Sequence, residues 1–424
     1  MKLRAALLAF SVLSAFALPV AAPAAHAASD KPYAGQTITV LLPPWGTLPK
    51  TMTEAFKAKT GITVDMETQG WDQIHAKILT AMIAHNPPAD VTEVDWSWVG
   101  QFGAAHWYEP LQNKLPAAIV ADVAPSKIFT IHGNLIAMPY NNDFRVLIVN
   151  KAMFDKAGIT QMPTTMKELW DDAVALQKSG IKHPIALPLS ATEGTSTAWY
   201  LLTKAFGGDL FNAKMQPEFT TPDSGGYKAL AWIVKAVKAG LIDPASTGLT
   251  DVQVQAFLSG GEAAIDLAGW AGNLTVYNDP SKSKVAGHVV AALMPSSTGH
   301  SRSFGLPEAL GIPVDAKHKG AALTFIKWWM QPSVQIEAYQ ALGDLPTSTT
   351  ALSDLSKEGK LPSGKVLLKQ IPTVEPLFAQ GTPEWYPQFS AAVSSAINQA
   401  AKGQLTVEQA VTQIAAQAKK AQSQ

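Results

Sequence analysis

The sequence predicts an α/β protein of two or three domains, and three observations predict it. The chain has 424 residues, too many for one ordinary domain of roughly 150. It is 47% apolar and 16% charged, against about 25% charged in a typical soluble domain, so it can bury a large core and is not a disordered chain. Its apolar residues recur at every second position, then at helical spacing, and then alternate again, which is the pattern of βαβ units.

The elements follow in order. Thr37 to Leu42 alternates as a strand. Leu48 to Lys59 places Met52, Ala55 and Phe56 on one helical face, with Gly61 as its C-terminal stop. Ile62 to Met66 is the next strand, Trp71 to Ala84 the next helix, and Asp90 to Val94 a third strand after Pro87-Pro88. This β-α-β-α-β opening implies a parallel sheet with crossover helices. Ile128 to Met138 reads as a hairpin around His132-Gly133-Asn134, and Val146 to Val149 is an apolar strand. A second α/β unit starts with a capping box at Thr165 to Glu168, heading a helix to about Lys178. Strands are expected at Ile185 to Leu189 and Ala263 to Leu267, and helices at Thr195 to Phe206, Gly225 to Ala239 and Asp251 to Leu258. From Ala316 the pattern is mainly helical, ending in Gln388 to Ala401 and the capped Thr406 helix. With no internal repeat and no long linker, the domains are expected to interleave.

Composition excludes several function classes. Lys plus Arg equals Asp plus Glu at 33 each, which removes the electrostatic case for nucleic acid or an anionic membrane surface. Cysteine is absent, so disulfides, thiolate metal sites and cysteine nucleophiles are excluded together. The chain has no Gly-x-Ser-x-Gly, His-Glu-x-x-His or Gly-x-Gly-x-x-Gly. Gly359 to Lys365 has phosphate-loop spacing, but Val366 replaces the hydroxyl residue, and it reads as a polar loop between helices. No cofactor and no metal are expected.

Lys2 and Arg4 precede an uncharged run from Ala5 to Val20 and the triplet Ala25-His26-Ala27, which together read as a cleavable export signal. Cleavage after Ala27 removes two basic residues and leaves a net charge near −2. Without cysteine there is no lipid-attachment site, so a free exported protein is expected.

The 12 tryptophans are informative by position. Trp199, Trp232, Trp328 and Trp329 lie within expected helices and read as core. Trp45, Trp71 and the pair Trp96 and Trp98 follow the first three strands, at the carboxyl ends where open parallel sheets bind ligands. Trp270 sits among small residues just after another strand. Indoles with Asp, Asn and Glu around them suit a sugar ring, which has an apolar face and polar edges.

Four segments carry a family resemblance. They are Glu54 to Val64; Gly133 to Lys156, with Met138-Pro139-Tyr140 and Asn150-Lys151-Ala152-Met153-Phe154; Ala256 to Ala264 with Gly269-Trp270; and Gly403 to Ala410. In this order they resemble the carbohydrate-binding, maltose-binding-protein-like extracellular solute-binding proteins of bacterial ABC importers. Val149 stands where that family often has an aromatic, and Gly261 where it often has Lys.

The resemblance implies a two-lobe periplasmic binding protein fold with interleaved domains and three hinge crossings, near Asp143 to Arg145, Arg302 to Pro307 and Met330 to Pro332. The lobes would comprise 28–143 plus 306–330 and 146–302 plus 333–424. Trp45, Trp71, Asp95 and Trp96 would line the first lobe, Glu193, Trp270 and Asn273 the second, and Asn142 and Asp143 the hinge. Tyr386 would reach the cleft edge. The implied partners are a sugar or polyol and the inner-membrane permease, with a monomeric protein in the periplasm.

Arg145 and Arg302 are the only arginines after the leader and fall at expected crossings. They read either as ligand-binding cations or, preferably, as structural ion pairs. Two other functions stay open. One is a sugar-active enzyme using Asp95 and Glu193; the other is a sensor subunit that presents its ligand to a receptor.

Overall fold

The computed structural model describes residues 31–378 and 381–423. The export signal, residues 1–27, lies outside the described residues. Two lobes are each built on a sheet. The first sheet has five strands in the order Thr63–Thr68, Thr37–Leu42, Val91–Asp95, Glu308–Gly311, Met138–Asn141. Its first three strands are parallel, in register from Thr37 opposite Thr63 to Leu42 opposite Thr68. Helices Lys50–Thr60 and Trp71–Ile83 form the crossovers. Gly61 ends the first helix at φ 78°, donating its N–H to the Lys57 carbonyl, a conformation that suits glycine because it has no Cβ. Strand Glu308–Gly311 is antiparallel to both of its neighbours.

The second sheet has four strands, in the order Val289–Ala292, Leu147–Asn150, Ile265–Asp266, Ile185–Ala186. Helices Glu193–Ala205, Gly225–Lys238, Tyr386–Ala401 and Val407–Gln422 complete this lobe. The capping boxes at Thr165 and Thr406 both form. The hairpin closes through His132 and Gly133 at φ 48° and 80°, the doubly positive turn that matches strand twist.

Two of the expected strands are shorter than the apolar runs suggested. Ile185 to Leu189 pairs only over Ile185–Ala186, and Ala263 to Leu267 only over Ile265–Asp266. Leu187, Leu189 and Leu267 are nevertheless fully buried. The apolar runs thus report burial correctly, while the ladder ends sooner. Gly359 to Ser363 lies in the link between helices Thr349–Lys357 and Gly364–Gln370, while Gly364 and Lys365 already open the second helix.

Two chain passages between the lobes lie side by side. Phe144 and Gly305 form an isolated antiparallel bridge. The Arg145 N–H donates to the Phe304 carbonyl at 3.2 Å, and the Leu306 N–H to the Asp143 carbonyl at 2.6 Å. A Cβ on Gly305 would stand 3.1 Å from the Asp143 carbonyl oxygen, so this approach favours glycine. Further along, Phe325 and Trp328 pack on Phe56 with ring centroids 5.4 and 5.0 Å away, anchoring helix Lys319–Trp329 on the first lobe.

Candidate solute-binding cleft

The first-lobe wall is built on the carboxyl ends of the parallel strands. Asp95 ends its strand and turns back locally, accepting from the Ser97 N–H at 2.8 Å and from the Ser97 hydroxyl. Glu308 is its direct register partner on the neighbouring strand. The Glu308 carboxylate accepts from the Trp45 indole N–H at 2.8 Å and from the Asn141 amide at 2.9 Å. The Tyr140 hydroxyl lies 2.9 Å from Glu93 Oε2 and 3.4 Å from Glu308 Oε2. Gly46 makes room for it, since a Cβ there would come within 2.4 Å of that hydroxyl oxygen. Trp71 stacks on Trp98 at 4.7 Å, Trp98 on His75 at 4.6 Å, and Trp45 tilts against Trp71 at 6.0 Å. Trp45 is 37% exposed, as its loop setting implied.

A second group of the expected residues lies at the hinge and on the second lobe. The Arg145 guanidinium lies 5.5 Å from the Trp270 ring centroid, donating to the Ala268 carbonyl and, at 3.4 Å, to Asp143. Trp270 is half-buried beside it. Glu193 opens helix Glu193–Ala205 and accepts from the Tyr386 hydroxyl and, at 2.6 Å, from the Ser390 hydroxyl. Tyr386 meets Trp96 of the first lobe edge-on at 4.9 Å.

The remaining sequence-picked residues are placed differently. Asn273 is buried, engaged by Gln255 at 2.5 Å and by Asp266 at 3.3 Å. Asn142 is buried at the hinge, where its amide donates to the Pro346 carbonyl at 3.3 Å. There it lines, with Trp96, Phe144, Gly305 and Phe378, a cavity of about 350 Å³. Arg302 is clasped by Glu375 at 2.6 Å and Asp209 at 3.0 Å, with Lys204 joining the same carboxylates. This is the ion-pair arrangement preferred on sequence grounds. Helical Trp199, Trp232, Trp328 and Trp329 are all buried.

Sequence reasoning did not single out Glu308, Asn141, Tyr140 or Glu93. Glu308 carried a weak signal, as a lone acid heading the apolar strand after Pro307.

Burial dominates the electrostatics. It pushes the Glu308 carboxyl up to about 7, against the hydrogen bonds from Asn141 and Trp45. It pushes Asp143 up to about 6, against the pull of Arg145. Glu93, Asp95, Asp344 and Glu193 are also raised, first by burial. Carboxylates, amide groups and indoles arranged this way can exchange hydrogen bonds with hydroxyl groups and stack on an apolar ring face. Among the described residues no group of three or more His, Asp or Glu is placed to hold a metal ion.

The profile of the bacterial extracellular solute-binding protein family matches residues 45–336. The chain belongs to that family. Among relatives of this solute-binding protein is a Sinorhizobium fredii chain described as a probable amino-acid ABC transporter periplasmic-binding protein. It is 24% identical, over 87% of this chain and 84% of that one. The diacetylchitobiose binding protein of Streptomyces coelicolor is 25% identical, over 76% of each chain. An ABC transporter solute binding protein from Agrobacterium radiobacter, in complex with ribitol, superposes with a TM-score of 0.82 at 22% identity, covering 92% of this chain and all of that one. This similarity shows that the solute-binding protein shares their two-lobe architecture. No helix among its described residues is long and apolar enough to cross a membrane.

Proposed function

We propose that the protein is the periplasmic substrate-binding component of an ABC importer, taking a sugar or polyol between its lobes and delivering it to the membrane permease. The observation that carries this reading is that the exposed Trp45 of the first lobe and the half-buried Trp270 of the second each stand beside an ionisable group: Glu308 for Trp45 and Arg145 for Trp270. Flat apolar faces with polar groups at their edges match a pyranose ring or an extended polyol. The ribitol held by the Agrobacterium protein and the diacetylchitobiose of the Streptomyces protein's name support a hydroxyl-rich solute. The amino-acid description of the Sinorhizobium relative points elsewhere, but the exposed indole and the wealth of carboxylates favour the carbohydrate reading.

In this reading the lobes are 28–143 plus 306–330 and 146–302 plus 333–424. Trp45, Trp71, Asp95, Trp96, Asp143, Glu193, Trp270 and Tyr386 surround the solute, with Asn142, Asn273 and Arg302 supporting them. The protein works as a monomer without catalytic activity, released into the periplasm after Ala27 with no lipid anchor.

A thermal-shift screen across sugars, polyols and amino acids tests the ligand class, since a solute at 100 times its Kd adds about 2.7 kcal/mol of stability. Stabilisation by amino acids and by no sugar or polyol would overturn the reading. Incubation with oligosaccharides should leave them uncleaved. Mass spectrometry of the exported protein should find Ala28 at its start.

A further inference from the structure

The cavity of about 350 Å³ beside the hinge is set apart from the residues assigned to the solute, since none of Trp45, Glu308, Arg145 and Trp270 lines it. Its walls come from three parts of the chain. Trp96, Ala124 and Ile128 belong to the first lobe, and Phe144 and Gly305 bridge the two hinge passages that run side by side. Val374, Leu377 and Phe378 belong to the second lobe, where Phe378 stacks on Phe211 at 5.7 Å.

The lining is almost wholly apolar, with aromatic rings from Trp96, Phe144 and Phe378 and three prolines. Its polar members are largely committed elsewhere. Both carboxylate oxygens of Glu375 accept from Arg302, and one also accepts from Lys204. The Asn142 amide donates to the Pro346 carbonyl. Lys127 is exposed, so its ammonium group stays in water. Thr382 alone remains. A sugar placed here would bury several hydroxyls beside groups that cannot pair with them, which is costly. A carbon ring loses no hydrogen bonds and gains contact with the walls. An apolar cavity of about 150 Å³ holds benzene, so this one has room for about two fused rings.

We propose that this cavity is a second binding site, for a small apolar compound of the size of indole or naphthalene, and that its occupant holds the lobes in the arrangement that the structure shows. Such a molecule touches both lobes and both hinge passages, so it binds where these surfaces converge. A ligand shifts an equilibrium toward the state it binds better. The same arrangement brings Trp96 against Tyr386 and Gly100 against Thr382. Neither step depends on which solute the cleft takes.

Calorimetric titration of the full mature chain with indole and with 2-naphthol tests the site. About one molecule per chain should bind, with a dissociation constant below about 1 mM. Ala124→Trp and Leu377→Trp fill the cavity from one lobe and from the other, and each should weaken binding by about tenfold or more. Ala124 is exposed and Leu377 half-buried, so neither change strikes the core. Irradiated 5-azidoindole needs no variant and should label residues 124–128 or 371–378 of the parent protein. Small-angle scattering without sugar should show a smaller radius of gyration on saturation with 2-naphthol. Failure of both probes to bind overturns the site, as does undiminished binding in both folded variants or labelling confined to other segments. Binding in the cavity with an unchanged radius overturns the hold on the lobes.

Discussion

The indole N–H of Trp45 reaches both carboxylate oxygens of Glu308 at 2.8 Å, although 263 residues separate the two in sequence. The contact ties the loop after the first strand to the strand that follows the second hinge passage. It fixes the orientation of an exposed ring that would otherwise be free to turn.

Trp45→Phe keeps a ring but removes that donor. That bond lies within the protein, so its loss should lower folding stability by about 1–3 kcal/mol. Solute affinity should fall as well, because the exposed ring is no longer held in one orientation. Calorimetric titration and urea unfolding of the same variant check both outcomes.

Trp270→Ala separates a stacking platform from a core residue. Loss of about 60 Å² of stacking on the solute, at about 25 cal/mol per Å², weakens binding by roughly 1.5 kcal/mol. The lost contact with Arg145 should cost about 0.5–2 kcal/mol of stability. That is less than the about 3–5 kcal/mol typical of a buried Trp changed to Ala. Stability lost on the larger scale, with normal binding by the folded remainder, would make Trp270 core.

Stability without solute should fall as pH rises. The carboxyls of Glu308 and Asp143 are held near 7 and 6, against 4.5 and 3.8 in an exposed chain. A raised carboxyl favours the folded state when protonated, so its contribution is fully present below about pH 4 and is lost as pH climbs through about 6 to 7. For Glu308 the scale is on the order of 3 kcal/mol. Urea midpoints between about pH 4 and 8 should show the decline, and Glu308→Gln should flatten its upper part.

Gly100 sits where helix Val99–Ala104 of the first lobe meets the segment leading to Tyr386. A Cβ there would lie 2.0 Å from the Thr382 carbonyl oxygen and 2.5 Å from the Pro383 carbonyl carbon. These are backbone atoms, so the clash is relieved only if the two parts separate. Gly100→Ala should therefore weaken solute binding and leave the radius of gyration larger at saturation than in the parent protein. Small-angle scattering measures this, and an unchanged radius with unchanged affinity would show that the contact is not part of closure.

The opening β-α-β-α-β order was legible nearly to the residue, because Thr37 to Ile83 alternates cleanly between the two hydrophobic periods and Gly61 marks a stop. Trp45 was legible for a related reason, since its Gly and Pro neighbours announce exposure, whereas Trp96 and Trp98 after the third strand are buried. The short strands of the second lobe were not, because a buried run such as Ile185 to Leu189 looks the same whether or not a neighbour pairs with it. Nor was Glu308 as a partner of Trp45 and Tyr140, since only folding brings three distant segments to one sheet edge. Asn273 shows the converse: its loop neighbours suggested access, yet Gln255 and Asp266 engage it inside the lobe.

The edge-on contact between Trp96 and Tyr386 gives the molecule a built-in optical reporter. Trp96 is 4% exposed while that contact holds. Parting the lobes would admit water to its indole and shift its emission to longer wavelength. Solute capture would then be visible without any label, as a blue shift on addition of ligand that disappears in Trp96→Phe.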